Sequence, residues 1–168
     1  MKEKLVLHIC CAVCGSEIAD FLSRGYEIIL FFSNSNIYDR EEYEKRKNSA
    51  KKLADRFKIR FFEDEYDRRG WKERTAGMET EPEGGSRCTA CFEYRLRRAA
   101  DFARKEGIGV ITTTLSASPY KDEKLIMKIG NVVARDNNLI FLDPLKGRDK
   151  EEAWKEAHSI SKKEGYYR

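Results

Sequence analysis

Five short apolar runs punctuate the chain, and between them apolar residues return every three or four positions. The runs are K-L-V-L-H-I-C (4–10), Y-E-I-I-L-F-F-S (26–33), K-I-R-F-F-E (58–63), G-V-I-T-T-T-L (109–115) and N-L-I-F-L-D (138–143). The first, second, fourth and fifth show little alternation, the pattern of strands buried on both faces of a parallel sheet. The third is shorter and more polar, and predicts an edge strand. In the intervals, Ser16 to Arg24 places Ile18, Phe21 and Leu22 on one helical face, with Gly25 as a stop signal. The segment from Asp39 to Phe57 starts acidic and turns basic, which complements a helix dipole, and Tyr43, Ala50, Leu53, Ala54 and Phe57 form its inner stripe. Thr89 to Lys105 turns Phe92, Leu96, Ala99, Ala100 and Ala103 inward, and 122–136 and 150–163 predict two further helices.

Strands alternating with helices mean βαβ crossovers. The expected fold class is α/β: a three-layer, Rossmann-like domain around a parallel five-stranded sheet. Residues 1–168 are expected to form one domain, because that length suffices for one core. Its unusual part is about 66–87, a short helix and then a long loop with four glycines and Pro82 between 67 and 87. Loops of that length inside a compact domain are commonly functional.

Composition narrows the class. Charged residues reach 37% with both signs nearly balanced, yet 40% of the chain is apolar, which points to a solvated surface over a real core rather than to disorder. The net charge of +4 leaves a polyanionic partner open if the basic residues cluster. No signal peptide precedes the first run and no apolar run approaches a membrane span, so a cytoplasmic protein with no membrane partner is expected. In that reducing compartment five cysteines suit metal or redox chemistry better than disulfides.

The cysteines form two groups, L-H-I-C-C-A-V-C-G (7–15) and S-R-C-T-A-C-F-E-Y-R-L (86–96). Thiols separated by two residues converge on one centre without straining the backbone, as a tetrahedral metal or an iron–sulfur cluster requires. Cys10, Cys11 and Cys14 follow the first strand, where ligands bind in open α/β sheets. Cys88 and Cys91 stand at the start of a helix. A closed zinc site is the bland alternative, and it leaves one thiol over. The adjacent pair Cys10 and Cys11 is not expected to face a single ion, which assigns the fifth thiol another task. A thioredoxin-type motif lacks its W-C-x-P-C features, and a phosphate loop lacks its glycines, since only Gly15 is available.

L-H-I-C-C-A-V-C, F-F-S-N-S-N-I-Y followed by E-Y-E-K-R-K, R-C-T-A-C-F-E-Y-R-L and T-T-T-L-S-A-S-P-Y-K-D, in that order along nearly the whole chain, closely resemble QueH, the cobalamin-independent epoxyqueuosine reductase family of queuosine biosynthesis. The resemblance implies a fold similar to adenine-nucleotide α-hydrolase-like (HUP) domains. It implies a [4Fe–4S] cluster with an additional iron, held by Cys10, Cys11, Cys14, Cys88 and Cys91. It also implies reduction of epoxyqueuosine to queuosine at the wobble position of tRNA, with electrons from an external donor. Many members carry a Y-C-G-C-like tail after a Tyr-Arg, where this sequence reads G-Y-Y-R.

Converting an epoxide into an alkene and water takes two electrons, two protons and a Lewis acid on oxygen. S-A-S-P-Y-K-D follows the fourth run, which should neighbour the first, so Ser116, Ser118, Tyr120 and Lys121 are expected near the metal. Tyr120 and Lys121 are the catalytic candidates, whereas Ser118-Pro119 alternatively just opens the next helix. Asn34 and Asn36 are expected at the pocket rim, and Arg87 and Arg95 flank the second cysteine pair as tRNA contacts, with a wider basic set of Lys45, Arg46, Lys47, Lys51, Lys52, Arg97 and Arg98. Trp71 is a candidate stacking platform. His8 reads as a core residue, His158 as a surface residue, and Phe31 and Phe32 as sheet core. Two other functions fit the same scaffold: an ATP-dependent tRNA-modifying enzyme and a zinc-stabilised RNA-binding module.

Overall fold

A computed structural model describes residues 1–167. Five parallel strands form one sheet in the order β3-β2-β1-β4-β5. They are β1 (Glu3–His8), β2 (Tyr26–Phe32), β3 (Arg60–Glu63), β4 (Val110–Thr113) and β5 (Ile140–Phe141). The helices are α1 (Ala12–Ser23), α2 (Arg40–Phe57), α3 (Arg68–Arg74), α4 (Ser86–Lys105), α5 (Glu123–Asp136) and α6 (Lys150–Glu164).

β1 lies at the centre because both its faces are apolar. Leu5, Val6 and Leu7 are fully buried, as are Ile29 and Leu30 on β2 and Ile111 on β4. Phe31 and Phe32 belong to this core, as the sequence suggests. β3 is an edge strand, as its polarity predicts. The fifth run departs from expectation: β5 spans two residues at the opposite edge, with Ile140 63% exposed. An edge strand has a partner on one side only, which is why its apolar run does not extend to a long buried strand.

The chain leaves β1 towards β2 and β3 on one side, and β4 and β5 fill the other. The switch point therefore lies between the carboxyl ends of β1 and β4, where an open α/β sheet leaves a crevice. Helix starts sharpen the sequence reading there. α1 begins at Ala12 rather than Ser16, because Cys11 caps it: its backbone is extended and its Sγ accepts from Cys14 N. α4 likewise starts at Ser86, so Cys88 and Cys91 lie inside its first turns. Gly15 shows why α1 can sit so close to the sheet. A Cβ there would stand 2.6 Å from Ile9 Cδ1, a fully buried side chain. Among the described residues no helix is long and apolar enough to cross a membrane.

Candidate metal centre

Three thiols meet at the switch point. The sulfur atoms of Cys10, Cys11 and Cys14 all lie within 4.8 Å of one another, and all three residues are buried. Cys10 continues β1, Cys11 caps α1 and Cys14 occupies its first turn. The expectation that the adjacent pair would diverge is therefore corrected. The extended backbone of Cys11 lies between a strand end and a helix start, and that bend brings both sulfurs to one point. Cys88 and Cys91 stay outside this group. Cys88 Sγ accepts from Gly84 N at 3.4 Å, and Cys91 Sγ accepts from Trp71 Nε1 at 3.3 Å.

The surroundings hold Cys10 in place. Its N–H donates to Thr114 Oγ1 at 3.1 Å, and its sulfur lies 3.2 Å from the same hydroxyl. Thr114 is fixed in turn by donating its N–H to His8 O at 2.9 Å. His8 is fully buried, with Nε2–H donating to Ser33 O at 3.0 Å and Nδ1 paired to Thr113 Oγ1 at 2.9 Å. A carbonyl only accepts, so the proton sits on Nε2. Burial, aided by the Arg95 charge, lowers the His8 pKa to about 4, so the ring is neutral and structural. That agrees with its reading as a core residue.

The three thiols share protons unequally. Hydrogen bonds from Cys11 and Cys14 pull the Cys10 pKa well below its ordinary value against the cost of burial, and the charges of Lys121 and Arg95 help. The Cys10 sulfur then holds its neighbours protonated: Cys11 is pushed up to about 12, and Cys14 is raised as well. Thiolates are the metal-binding form of cysteine, so three sulfurs at one point, one of them favoured as the thiolate, could hold a metal ion.

A cavity of about 760 Å³ opens in front of these sulfurs, within the size range of small-molecule sites, roughly 300–1,000 Å³. Arg46, Arg95, Lys121 and Lys162 bring positive charge to its wall, against Glu83 alone of the acidic residues. Four buried polar atoms of lining residues have no partner among the described residues: Asn36 Oδ1, Arg95 Nε, Ser161 Oγ and Tyr166 OH. Buried polar groups are normally satisfied by protein, water or ligand, so these atoms are open to hydrogen bonds from whatever fills the cavity.

The residues singled out in the sequence divide into two sets. Cys10, Cys11, Cys14, Asn36, Arg95, Ser118, Tyr120 and Lys121 line the cavity. Tyr120 is 75% exposed at its mouth. Asn34, Ser116 and Arg87 do not line it. The Asn34 amide is engaged on both sides, donating to Ile9 O at 2.9 Å and accepting from Arg95 Nη2. Ser116 is fully buried. Arg87 lies over the Trp71 ring, 5.4 Å from its centroid. Ser118 does not cap α5, whose N-cap is Asp122; its hydroxyl accepts from Tyr120 N at 3.3 Å and so shapes the turn that carries Tyr120.

Other expectations need correction. Trp71 is only 5% exposed, with the Arg68 and Arg87 guanidinium groups 4.5 and 5.4 Å from its ring centroid, so it offers no open surface to a base. Much of the basic set is already paired. Lys47 is buried against Glu44 and Glu63, Arg97 pairs with Glu93 and Asp136, and Arg98 holds Asp64 with two nitrogens. His158 is on the surface, yet it also lines the cavity. Trp154, Ser161, Lys162 and Tyr166 were not anticipated. Their signal was present as the spacing 154, 158, 161 and 162, one face of a helix.

Strand order, thiol cluster and cationic crevice define a Rossmann-like α/β protein with three converging thiols, able to hold a metal, at the place where open α/β sheets bind their ligands. The chain belongs to the epoxyqueuosine reductase QueH family: the family model described as "Epoxyqueuosine reductase QueH" matches residues 5–168. Proteins of that name from Haemophilus influenzae and Histophilus somni are 39% and 37% identical to it, over 98% and 84% of this chain. The chain spans 67% and 59% of their respective lengths. Among solved structures, the U34-tRNA thiolase NcsA from Methanococcus maripaludis, determined with its [4Fe–4S] cluster, superposes with a TM-score of 0.65. That match covers 99% of this chain and 58% of the thiolase at 12% identity, a likeness of fold.

Proposed function

We propose that this protein reduces epoxyqueuosine to queuosine in tRNA, in the cytoplasm, with electrons from an external donor. The observation that carries the reading is the convergence of Cys10, Cys11 and Cys14 at one end of a cationic cavity in a QueH family member. The donor set fits an iron–sulfur cluster, because thiolates are its ligands and three sulfurs face one point. Cys10, Cys11 and Cys14 hold the [4Fe–4S] cluster or share it with Cys88 and Cys91. Five thiols exceed the four that one such cluster takes, and the surplus supports an additional iron at the same site. When bound, these centres supply electrons and a Lewis-acidic position for the epoxide oxygen.

The remaining roles belong to the chain. Lys121 and Arg95 favour the ionised form of Cys10, which readies it for metal. Arg95, buried with Nε unpartnered, and Asn36, with Oδ1 unpartnered, offer a donor and an acceptor to the modified nucleoside. Ser118 holds the turn that places Tyr120 and Lys121 at the cavity, and these two supply protons to the departing oxygen. The reaction balances as two electrons and two protons in, both epoxide C–O bonds broken, one alkene formed and one water released. Cationic residues at the mouth receive the RNA backbone, so tRNA affinity falls steeply with salt.

The reading is tested by anaerobic incubation of the iron- and sulfide-loaded protein with epoxyqueuosine-containing tRNA and a reductant, followed by nucleoside analysis. Appearance of queuosine supports it; unchanged epoxyqueuosine contradicts it. Iron and sulfide analysis with Mössbauer spectra tests the additional iron, and four irons with no distinct fifth in active protein would exclude it. Family membership favours reduction over an ATP-dependent tRNA-modifying enzyme. So does Gly15, which is packed on Ile9 inside α1 and not free to cradle phosphates. A zinc-stabilised RNA-binding module predicts colourless protein with stoichiometric zinc after anaerobic purification.

A further inference from the structure

The cavity has a second wall that the cysteine chemistry does not use. It is built by α6, which is tied to the cysteine helix because Ser16 Oγ reaches Ala157 O at 3.3 Å. Its first turn is tied to the Tyr120 turn, where Lys150 Nζ donates to Lys121 O at 3.3 Å. α6 turns Trp154, His158, Ser161 and Lys162 to the cavity, and Tyr166 follows its end.

Three properties of this wall point to one ligand chemistry. First, the Trp154 and His158 rings meet edge to face with centroids 4.3 Å apart, and the His158 ring is anchored by Nδ1–H donating to the Trp154 backbone carbonyl at 3.1 Å, so the pair forms an aromatic corner. His158 is exposed and Trp154 half-buried, so the corner is accessible from the cavity. Second, Ser161 Oγ and Tyr166 OH are buried without partners beside it, and Ser161 is 7% exposed. Third, Lys162 and Lys121 line the same cavity and give it positive charge, as does Arg46, which also pairs with Glu42 at 2.7 Å. A flat aromatic surface, unsatisfied hydroxyls and a cationic rim are the means by which proteins hold single-stranded bases and their phosphates.

We propose that the α6 wall is a base-binding subsite: Trp154 and His158 receive an unstacked base next to the modified nucleotide, and Ser161 and Tyr166 hydrogen-bond its polar edge. The inference rests on the tRNA reading above and deepens it. It divides the cavity into a chemical end at the cysteines and a recognition end at α6. The corner stacks on either purine or pyrimidine, while the two hydroxyls act as donors or acceptors and select the edge presented to them.

The test uses the full chain, loaded with iron and sulfide without oxygen, and an anticodon stem-loop RNA carrying 2-aminopurine on one or the other side of the wobble nucleotide. Binding to the wild type quenches the 2-aminopurine at one of the two positions. Trp154→Ala abolishes that quench and weakens affinity by roughly fivefold or more, as loss of one stacked base does. Trp154→Phe retains most of both. His158→Ala, at an exposed position, weakens binding with unchanged iron content and decides the matter should Trp154→Ala not fold. Full affinity and full quench in Trp154→Ala and His158→Ala overturn the subsite and leave the tRNA reading standing. A wild type that does not bind the stem-loop overturns both. Free 2-aminopurine nucleotide bound as tightly as the stem-loop also overturns the proposal, because the wall then takes a free nucleotide.

Discussion

Arg95 donates a hydrogen bond to the side-chain oxygen of Asn34, and Asn34 in turn donates to the backbone of Ile9, the residue before the cysteine run. A guanidinium on α4 therefore fixes the strand end that carries Cys10. Its charge adds a smaller contribution to the lowered Cys10 pKa, behind the hydrogen bonds from Cys11 and Cys14.

Asn34→Ala breaks this chain twice over, leaving Ile9 O and one Arg95 nitrogen buried without their partner. Each such group costs about 1–3 kcal/mol. The melting temperature of the apo protein should fall by several degrees, at roughly 2–4 °C per kcal/mol for a domain of this size. Iron retained per chain after desalting should fall with it. An unchanged melting temperature and iron content would mean that the Arg95–Asn34 link is dispensable.

Gly15→Ala tests how closely α1 packs. The new Cβ would stand 2.6 Å from Ile9 Cδ1 and 3.1 Å from Ile9 Cγ1. Ile9 has no exposed side to retreat to, so overpacking of about 1–3 kcal/mol is expected. Urea unfolding reads the loss directly. A mutant as stable as wild type would show that Ile9 can turn aside at no cost.

Trp71 is a candidate stacking platform in the sequence, and the structure gives it a different relationship, an indole N–H donated to Cys91 Sγ. Hydrogen bonds to ligand sulfurs tune cluster potentials by stabilising the added negative charge of the reduced state. Trp71→Phe keeps the ring and removes the donor, so the midpoint potential of the loaded protein should become more negative. A potential equal to wild type would place Cys91 outside the cluster's ligand shell.

Asp67 makes α3 sensitive to acid. Its carboxylate accepts from Gly70 N at 2.9 Å and from Tyr94 OH at 2.8 Å, and those bonds, the backbone one first, hold its pKa below the usual value. Gly70 is needed for this, since a Cβ there would stand 2.1 Å from Asp67 Oδ2. A carboxyl whose folded pKa is lowered stabilises the fold above its unfolded pKa, about 3.9, and that contribution is lost as pH falls through the lower folded value. Asp67→Asn should therefore flatten the acid limb of the unfolding curve, because the amide keeps a capping oxygen but does not titrate. Identical acid limbs in both proteins would contradict this.

Most of the scaffold was legible because it is written in burial. The runs around Val6, Ile29 and Ile111 are apolar throughout, and only a central parallel strand needs that. The convergence of Cys10 with Cys14 was legible from spacing, whereas Cys88 and Cys91, read as the other half of the cradle, stand outside the three-sulfur group. What spacing could not give was direction: that Cys11 caps α1 and so faces the same point as Cys10 depends on one extended backbone conformation. The α6 wall was missed for a related reason. Trp154 and His158 have the spacing of an ordinary amphipathic face, and only the packing of α6 on α1 turns that face towards the cysteines. Lys47, Arg97 and Arg98 looked like RNA contacts because sequence does not reveal that their carboxylate partners lie on other elements or other turns.

The central claim is that the cysteine end of the cavity carries out the reduction of epoxyqueuosine. The most direct measurement is nucleoside analysis of epoxyqueuosine-containing tRNA after anaerobic incubation with reduced, iron-loaded wild type and with its Cys11→Ser variant. Cys11 is chosen because it lies in the three-sulfur group and helps cap α1. The account predicts queuosine with the wild type and intact epoxyqueuosine with Cys11→Ser, in variant protein whose circular dichroism matches wild type. Queuosine formed equally by both, or by neither, would contradict it.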